Sequence, residues 1–218
     1  MSKAIKESEV AEGAHLITDK TVTYWCTQRI TQALLFTLCR LRIRGKQYLP
    51  ESGGAVFASN HQSTMDIPII AAANSRHVCF LARETLAESK AIGLLMRETG
   101  AVLVKRGESD RKALRDMALH LKLGDLLAVF PEGTRTKDGS LGEFKRGAVL
   151  TAKMAGVPII PTGITGAFLA MPKGKMLPRP LRVGVEFGPP IDPNAPDAQA
   201  QLVEAVQKLI GDGRFYAG

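Results

Sequence analysis

The sequence predicts an α/β fold: one αβα-type domain on a mainly parallel sheet, preceded by a helical element near the N-terminus. Strand-length apolar runs at 55–59, 78–82, 101–105, 126–130, 157–161 and 181–187 alternate with helical patterns, as parallel strands joined by crossover helices require. The clearest helical pattern is 109–123, where Ala113, Leu114, Met117, Ala118 and Leu121 form an apolar stripe with Arg111, Lys112, Arg115 and Asp116 opposite. Several strand-like runs also stop abruptly in Pro/Gly turns, which display polar side chains on a rigid edge.

In chain order, residues 1–20 read as a polar leader, 21–45 as a helical element and 46–218 as the globular domain. Within the domain, 86–98 and 145–155 read as further helices, and 197–210 closes the chain with Leu202, Val206, Leu209 and Ile210. Pro189, Pro190, Pro193 and Pro196 mark the turn out of the last strand, not a linker. At 218 residues the chain is long enough to bury a substantial core. Its net charge of +8 favours an anionic partner, whether nucleic acid, a phospholipid surface or a phosphorylated substrate.

Two motifs carry chemistry. Asn60, His61, Gln62, Ser63, Thr64, Met65 and Asp66 follow the apolar run 55–59, which places a histidine and a carboxylate five positions apart at a strand end. Five positions is too far round for one helical face, so a bend lies between them, with Ser63 as the expected N-cap of a helix through Asp66. Such a pair suits transfer of a group to a hydroxyl. His61 takes the alcohol's proton, and Asp66 on the other ring nitrogen sets the tautomer and stabilises the imidazolium. A histidine near an aspartate is more often an ordinary capping arrangement, so a second motif has to add weight. It stands about 70 residues on, where the run 126–130 ends in Pro131, Glu132, Gly133, Thr134 and Arg135, a turn with a carboxylate, a hydroxyl and a guanidinium. Two strands of one α/β sheet present such ends to a shared cleft.

With these blocks on the page, the sequence resembles the glycerophospholipid acyltransferases typified by bacterial 1-acylglycerol-3-phosphate O-acyltransferase. The family's His-x4-Asp block stands as His61 to Asp66 and its Gly-to-Arg block as Gly100 to Arg106. Its Phe-Pro-Glu-Gly-Thr-Arg block stands as Phe130 to Arg135 and its Val-Pro block as Val157 to Pro161, all in the expected order. The resemblance covers roughly residues 45 to 190, and the loop from Asp138 with the helix after it fits as well. In the Gly-to-Arg block, Leu103 and Val104 stand where many relatives carry an aromatic.

The resemblance implies an acyltransferase with His61 and Asp66 as its catalytic pair. An acyl thioester, carried by coenzyme A or an acyl-carrier protein, is attacked directly by the free sn-2 hydroxyl of 1-acylglycerol-3-phosphate, giving phosphatidic acid. Lys105, Arg106, Glu132, Gly133, Thr134 and Arg135 would bind substrate, with Arg106 and Arg135 holding the phosphate in the planar fork that suits it. The Pro158 to Pro161 segment would wall the site near the acyl chain. No metal or other cofactor is implied, and no nucleic acid partner. Another lysolipid or glycerol 3-phosphate is an alternative acceptor; a thioesterase and a non-catalytic anionic-lipid binder are the rival readings.

Other chemistries lack their signatures. There is no His-Glu-x-x-His, no paired Cys-x-x-Cys and no Gly-x-x-x-x-Gly-Lys-Ser/Thr. Cys26, Cys39 and Cys79 lack metal spacing and read as free thiols in a reducing compartment, while His15, His77 and His120 carry no motif weight. No segment reaches the roughly 20 apolar residues of a membrane span, and the N-terminus has no signal-peptide apolar core. In 21–45, however, the apolar residues of Val22 to Cys26, Ile30, Ala33 to Phe36, Leu38 and Cys39 recur at near-helical spacing, with Trp25, Leu34 and Phe36 as the membrane-facing set, and are followed by Arg40, Arg42, Arg44 and Lys46. That reads as an interfacial helix, apolar face at the acyl boundary and arginines at lipid phosphates, against the alternative of a helix packed on its own core. The resulting expectation is a peripheral enzyme on the cytoplasmic face of a membrane with anionic lipids.

Overall fold

The computed structural model describes residues 22–83, 101–104, 110–172, 174, 175 and 177–211. The expected leader and the expected helix at 86–98 lie outside these residues. The elements in chain order are α1 (Val22–Leu38), β1 (Arg42–Arg44), a 3-10 turn (Lys46–Tyr48), β2 (Ala55–Ser59), α2 (Asp66–Ala73), β3 (Val78–Arg83) and β4 (Ala101–Val104). There follow α3 (Asp110–Lys122), β5 (Leu126–Val129), α4 (Gly147–Ala155), β6 (Ile159–Thr165), α5 (Ala167–Ala170), β7 (Gly184–Phe187) and α6 (Ala198–Gly211).

The seven strands form one sheet in the order β1-β7-β6-β2-β5-β3-β4. Every pairing is parallel except β6 with β7. β2 is central, with Phe57 opposite Ala128 of β5 on one side and Ile160 of β6 on the other. All five of its residues are buried, which is why it reads as a continuous apolar run and not an alternating one: helices cover both faces. The pleat sends successive side chains to opposite faces. Phe57 joins Leu126, Ala128, Ile160 and Phe187 beneath α1 and α2, while Val56 and Ala58 join Leu127 beneath α3, α4 and α6. Truncating a fully buried aromatic such as Phe57 to alanine costs about 3–5 kcal/mol.

The α3 stripe forms much as expected: Ala113, Met117, Ala118 and Leu121 are buried and Leu114 is half-buried. The 21–45 element divides. The helix ends at Leu38, and Arg42–Arg44 pairs in parallel with Gly184–Glu186 of β7, so the sheet begins before residue 46. What draws this basic stretch into the sheet is the chain behind it. Arg42 N–H donates to Val183 O, and Gly45, at φ +73, lies so close to Phe187 that a Cβ would meet its carbonyl oxygen.

Helix α1 packs its polar side inward. Tyr24 and Leu35 are buried with Gln28. Gln28 Nε2 donates to Ala71 O and Asn74 O at 2.8 and 3.0 Å, and Gln32 Nε2 donates to Ala72 O at 2.8 Å. Two glutamines thus add donors to the carbonyls at the C-terminal end of α2, where Ala71 O also accepts the Asn74 N–H. Trp25, Ile30, Leu34, Phe36 and Leu38 face outward instead, and Arg29 lies over the Trp25 ring. No helix among the described residues is long and apolar enough to cross a membrane.

Candidate active site

The loop after β2 and the turn after β5 meet at the C-terminal edge of the parallel strands, where open α/β sheets bind ligands. His61 Nδ1 lies 2.8 Å from Asp66 Oδ2, and the same oxygen accepts the N–H groups of Gln62 at 2.6 Å and Ser63 at 2.8 Å. An oxygen already taking two amide hydrogens acts on the imidazole as an acceptor, so Nδ1 carries the ring proton and Nε2 keeps its lone pair. Asp66 is fully buried and the His61 side chain 18 % exposed. Burial pushes the Asp66 carboxyl above its ordinary value, against the downward pull of His61, Ser63 and Gln62. Its other oxygen, Oδ1, is buried without a partner.

The His61 backbone is gripped from both sides by the second motif. Its N–H donates to Glu132 Oε1 at 2.7 Å, and its carbonyl accepts Thr136 N–H at 2.8 Å. Glu132 Oε2 accepts Gly142 N–H at 2.9 Å, so both carboxylate oxygens are engaged by main chain. Phe130 stacks on the imidazole, 4.1 Å between centroids and 20° between planes. With Nδ1, both backbone groups and one ring face held, the remaining direction of freedom for a substrate is Nε2.

Among the other expected site residues, Gly133 makes the turn at φ +71 and Thr134 is exposed beside it. Arg135 is half-buried, and no described carboxylate pairs with it. Lys105 and Arg106 lie outside the described residues. Ser63 does not cap a helix. Helix α2 opens at Asp66 after Met65, and the Ser63 hydroxyl donates to Met171 O while accepting Met65 N–H. The Asp66 carboxylate collects the Gln62 and Ser63 amides, and the helix opens two residues later than the spacing suggested. Pro158 does not wall this site either. β6 runs parallel to β2, so Pro158 precedes the far end of the strand from His61, and Pro161 pairs with Ala58 inside the sheet.

Three residues were not singled out by spacing. Asn60 clamps β2 to β6, with Nδ2 donating to Ile164 O at 2.9 Å and Oδ1 accepting Ile164 N–H at 2.8 Å. Gln62 Oε1 accepts Phe168 N–H at 3.3 Å. Lys145 brings a further cation to the second motif: a Cβ at Gly133 would lie 3.2 Å from its ammonium. The only signal for these in the sequence is adjacency to the motifs.

A second His-x4-Asp pair, His120 and Asp125, is buried, with Nδ1 and Oδ2 2.9 Å apart. Cys79 lies with it, the three donor atoms all within 4.8 Å of one another. The 2.9 Å contact is a hydrogen bond, shorter than the roughly 3.4 Å that separates two such donors on one tetrahedral ion. Burial first, and Asp125 second, push the Cys79 thiol well above its ordinary value, so it is a poor nucleophile.

Comparison with known proteins places this geometry. The Acyltransferase family profile matches residues 40–165. The chain is 35 % identical over 143 residues to a chloroplastic 1-acyl-sn-glycerol-3-phosphate acyltransferase of Arabidopsis thaliana, covering 64 % of this chain and 40 % of that protein. It is 28 % identical over 127 residues to a Bacillus subtilis protein of the same description, covering 58 % and 63 %. The crystal structure of the 1-acyl-sn-glycerophosphate acyltransferase from Thermotoga maritima superposes with a TM-score of 0.74 at 28 % identity, covering 88 % of this chain and 80 % of that one. Against the first of these relatives the chain spans about two fifths of the length.

Proposed function

The chain belongs to the Acyltransferase family, and from that premise we propose that it acylates the free sn-2 hydroxyl of 1-acylglycerol-3-phosphate from an acyl thioester, releasing phosphatidic acid. The observation that carries the reading is His61, its Nδ1 fixed by buried Asp66 and its backbone fixed by the Glu132 turn at the sheet's C-terminal edge. As the acceptor oxygen attacks the thioester carbonyl, its proton passes to His61 Nε2. The C–S bond then breaks, and the departing thiolate takes that proton. Asp66 stabilises the transient imidazolium. No acyl-enzyme is needed, because holding two substrates in line itself supplies much of the acceleration, about 7–11 kcal/mol in well-oriented systems.

Arg135 and Lys145 are the described cations that would receive the acceptor's phosphate, the guanidinium bidentately and the ammonium as a point charge. Arg106 would join them. The donor is acyl-coenzyme A or acyl-carrier protein. The outward apolar face of α1, with Trp25, Ile30, Leu34, Phe36 and Leu38, would lie in the headgroup region of the cytoplasmic leaflet, making the protein peripheral.

The test is incubation of the purified chain with oleoyl-coenzyme A and a panel of lysolipids plus glycerol 3-phosphate, with products read by mass spectrometry beside His61→Ala. Ester formed only with 1-acylglycerol-3-phosphate, and lost in the variant, is the expected result. Thiol release without an acceptor would mean a thioesterase, and ester formed with another acceptor would reassign the substrate.

A further inference from the structure

Two stretches of this chain contain no acidic residue: 20–50, which holds α1 and β1, and 144–185. The fold brings parts of them together. Cys39 O accepts Val183 N–H at 3.0 Å, Val183 O accepts Arg42 N–H at 3.1 Å, and Cys39 Sγ lies 3.9 Å from Arg179 O. The connection between α5 and β7 therefore ends against the C-terminus of α1. Its beginning adjoins the catalytic loop, where Met171 O accepts the Ser63 hydroxyl and Phe168 N–H donates to Gln62. This strap thus runs from the His61 loop to the exposed apolar helix.

The strap's surface has the composition of a membrane contact. Leu177 is 83 % exposed and Leu181 42 %, with Leu169 exposed just before them. Lys175 and Arg179 are exposed among them. Pro172, Pro178 and Pro180 restrict the backbone, and Lys175 N–H to Pro172 O, Arg179 N–H to Ala170 O and Leu181 N–H to Arg179 O hold it from within. Scattered exposed leucines need no explanation, but leucines on a braced loop free of acids that ends against the C-terminus of a helix with exposed apolar side chains call for one.

We propose that the described residues of this strap, 171, 172, 174, 175 and 177–182, form a second bilayer-contacting element, setting Leu177 and Leu181 among the headgroups of an anionic membrane while Lys175 and Arg179 meet lipid phosphates. This rests on the lipid-acceptor reading above for why the chain meets a bilayer, and it deepens that reading. With α1 and the strap both seated, a lysolipid leaves the membrane beside the Ser63–Met171 contact, next to His61.

The experiment is co-sedimentation of the full chain with vesicles of phosphatidylcholine alone and of equimolar phosphatidylcholine and phosphatidylglycerol. Leu177→Asp should weaken partitioning on the order of tenfold or more, the loss of one buried leucine. Lys175→Glu should weaken binding to the anionic vesicles by about fivefold or more, the contribution of one cation near such a surface, and leave phosphatidylcholine binding unchanged. The thermal midpoint and turnover of a water-soluble short-chain acceptor should be unchanged in both. Leu177→Asp partitioning like the parent, while Trp25→Asp abolishes binding, would overturn the proposal. If no acceptor is acylated yet Leu177→Asp still releases the chain from vesicles, the enzymatic reading fails and the contact stands.

Discussion

Two His-x4-Asp pairs stand at opposite ends of the parallel strands of one sheet. His61 and Asp66 follow β2, and His120 and Asp125 precede β5, its parallel neighbour. The Nδ1–Oδ2 distances are 2.8 and 2.9 Å, and both aspartates are buried. The differences lie in what surrounds them. The His61 ring remains partly open and its main chain is held by a turn that brings cations, whereas His120 lies in the apolar stripe of α3 beside Cys79, with no comparable opening. A histidine oriented by a carboxylate becomes a base only where a substrate can reach its free nitrogen. At the closed end the same contact satisfies a buried charge and ties a helix to the strand after it.

The contrast is broken or sharpened by paired substitutions. His61→Ala should lower acyl transfer about 10⁴-fold and cost less stability than the matching change at His120, because Asp66 Oδ2 keeps the Gln62 and Ser63 amides. His120→Ala should leave the rate per folded molecule unchanged and destabilise by about 1–3 kcal/mol, because the buried Asp125 side chain loses its hydrogen-bond partner; urea unfolding and initial rates on both proteins decide it. Equal losses of activity from both would mean the two pairs are not functionally distinct.

Next in size, Asp66→Asn should reduce kcat about 10³-fold without changing KM for the thioester, since the amide no longer sets the tautomer, while Asp125→Asn should show its effect in stability alone. Glu132→Gln should follow, with kcat down about 10- to 100-fold at unchanged KM, because only the placement of His61 is disturbed. A rise in acceptor KM instead would show that Glu132 touches substrate.

The smallest effect belongs to the closed end. The Tyr24 hydroxyl accepts Val78 N–H and its ring packs 4.1 Å from that of His77. Burial first, and Cys79 second, push its phenol from 10.0 up to about 12, against the pull of Val78. The folded chain thus holds this proton more tightly than the unfolded one. Stability should be level below pH 10 and fall by about 2–3 kcal/mol as pH rises toward 12, a loss that Tyr24→Phe should remove. Activity at neutral pH should not register that substitution.

Much of this was legible beforehand. The run 55–59 and the turn at 131–135 mark a strand end and a rigid edge by composition alone, and the α3 stripe follows from a 3.6-residue period. Other features had no local signature. The glutamines of α1 turn inward to donate to carbonyls at the C-terminal end of α2, and nothing within residues 22–38 reports that. Arg42–Arg44 reads as a basic cluster because a three-residue edge strand has too few side chains to show a period, and only β7 makes it a strand. Glu132 reads equally as a site residue or as a carboxylate that satisfies turn amides, and only the fold shows which amides, those of His61 and Gly142, lie on its two oxygens.

The amino-acid order was enough to establish the alternating α/β plan, a histidine and an acid set at one strand end, and the turn that faces them, because periodicity and short-range spacing are properties of a chain that neighbours alone impose. Which of two identically spaced pairs stays partly open, which side of α1 faces outward, and which carboxylate holds the His61 main chain were decided by contacts between residues up to about a hundred positions apart. Burial and hydrogen-bond satisfaction are settled there, between distant segments, and no local pattern encodes them.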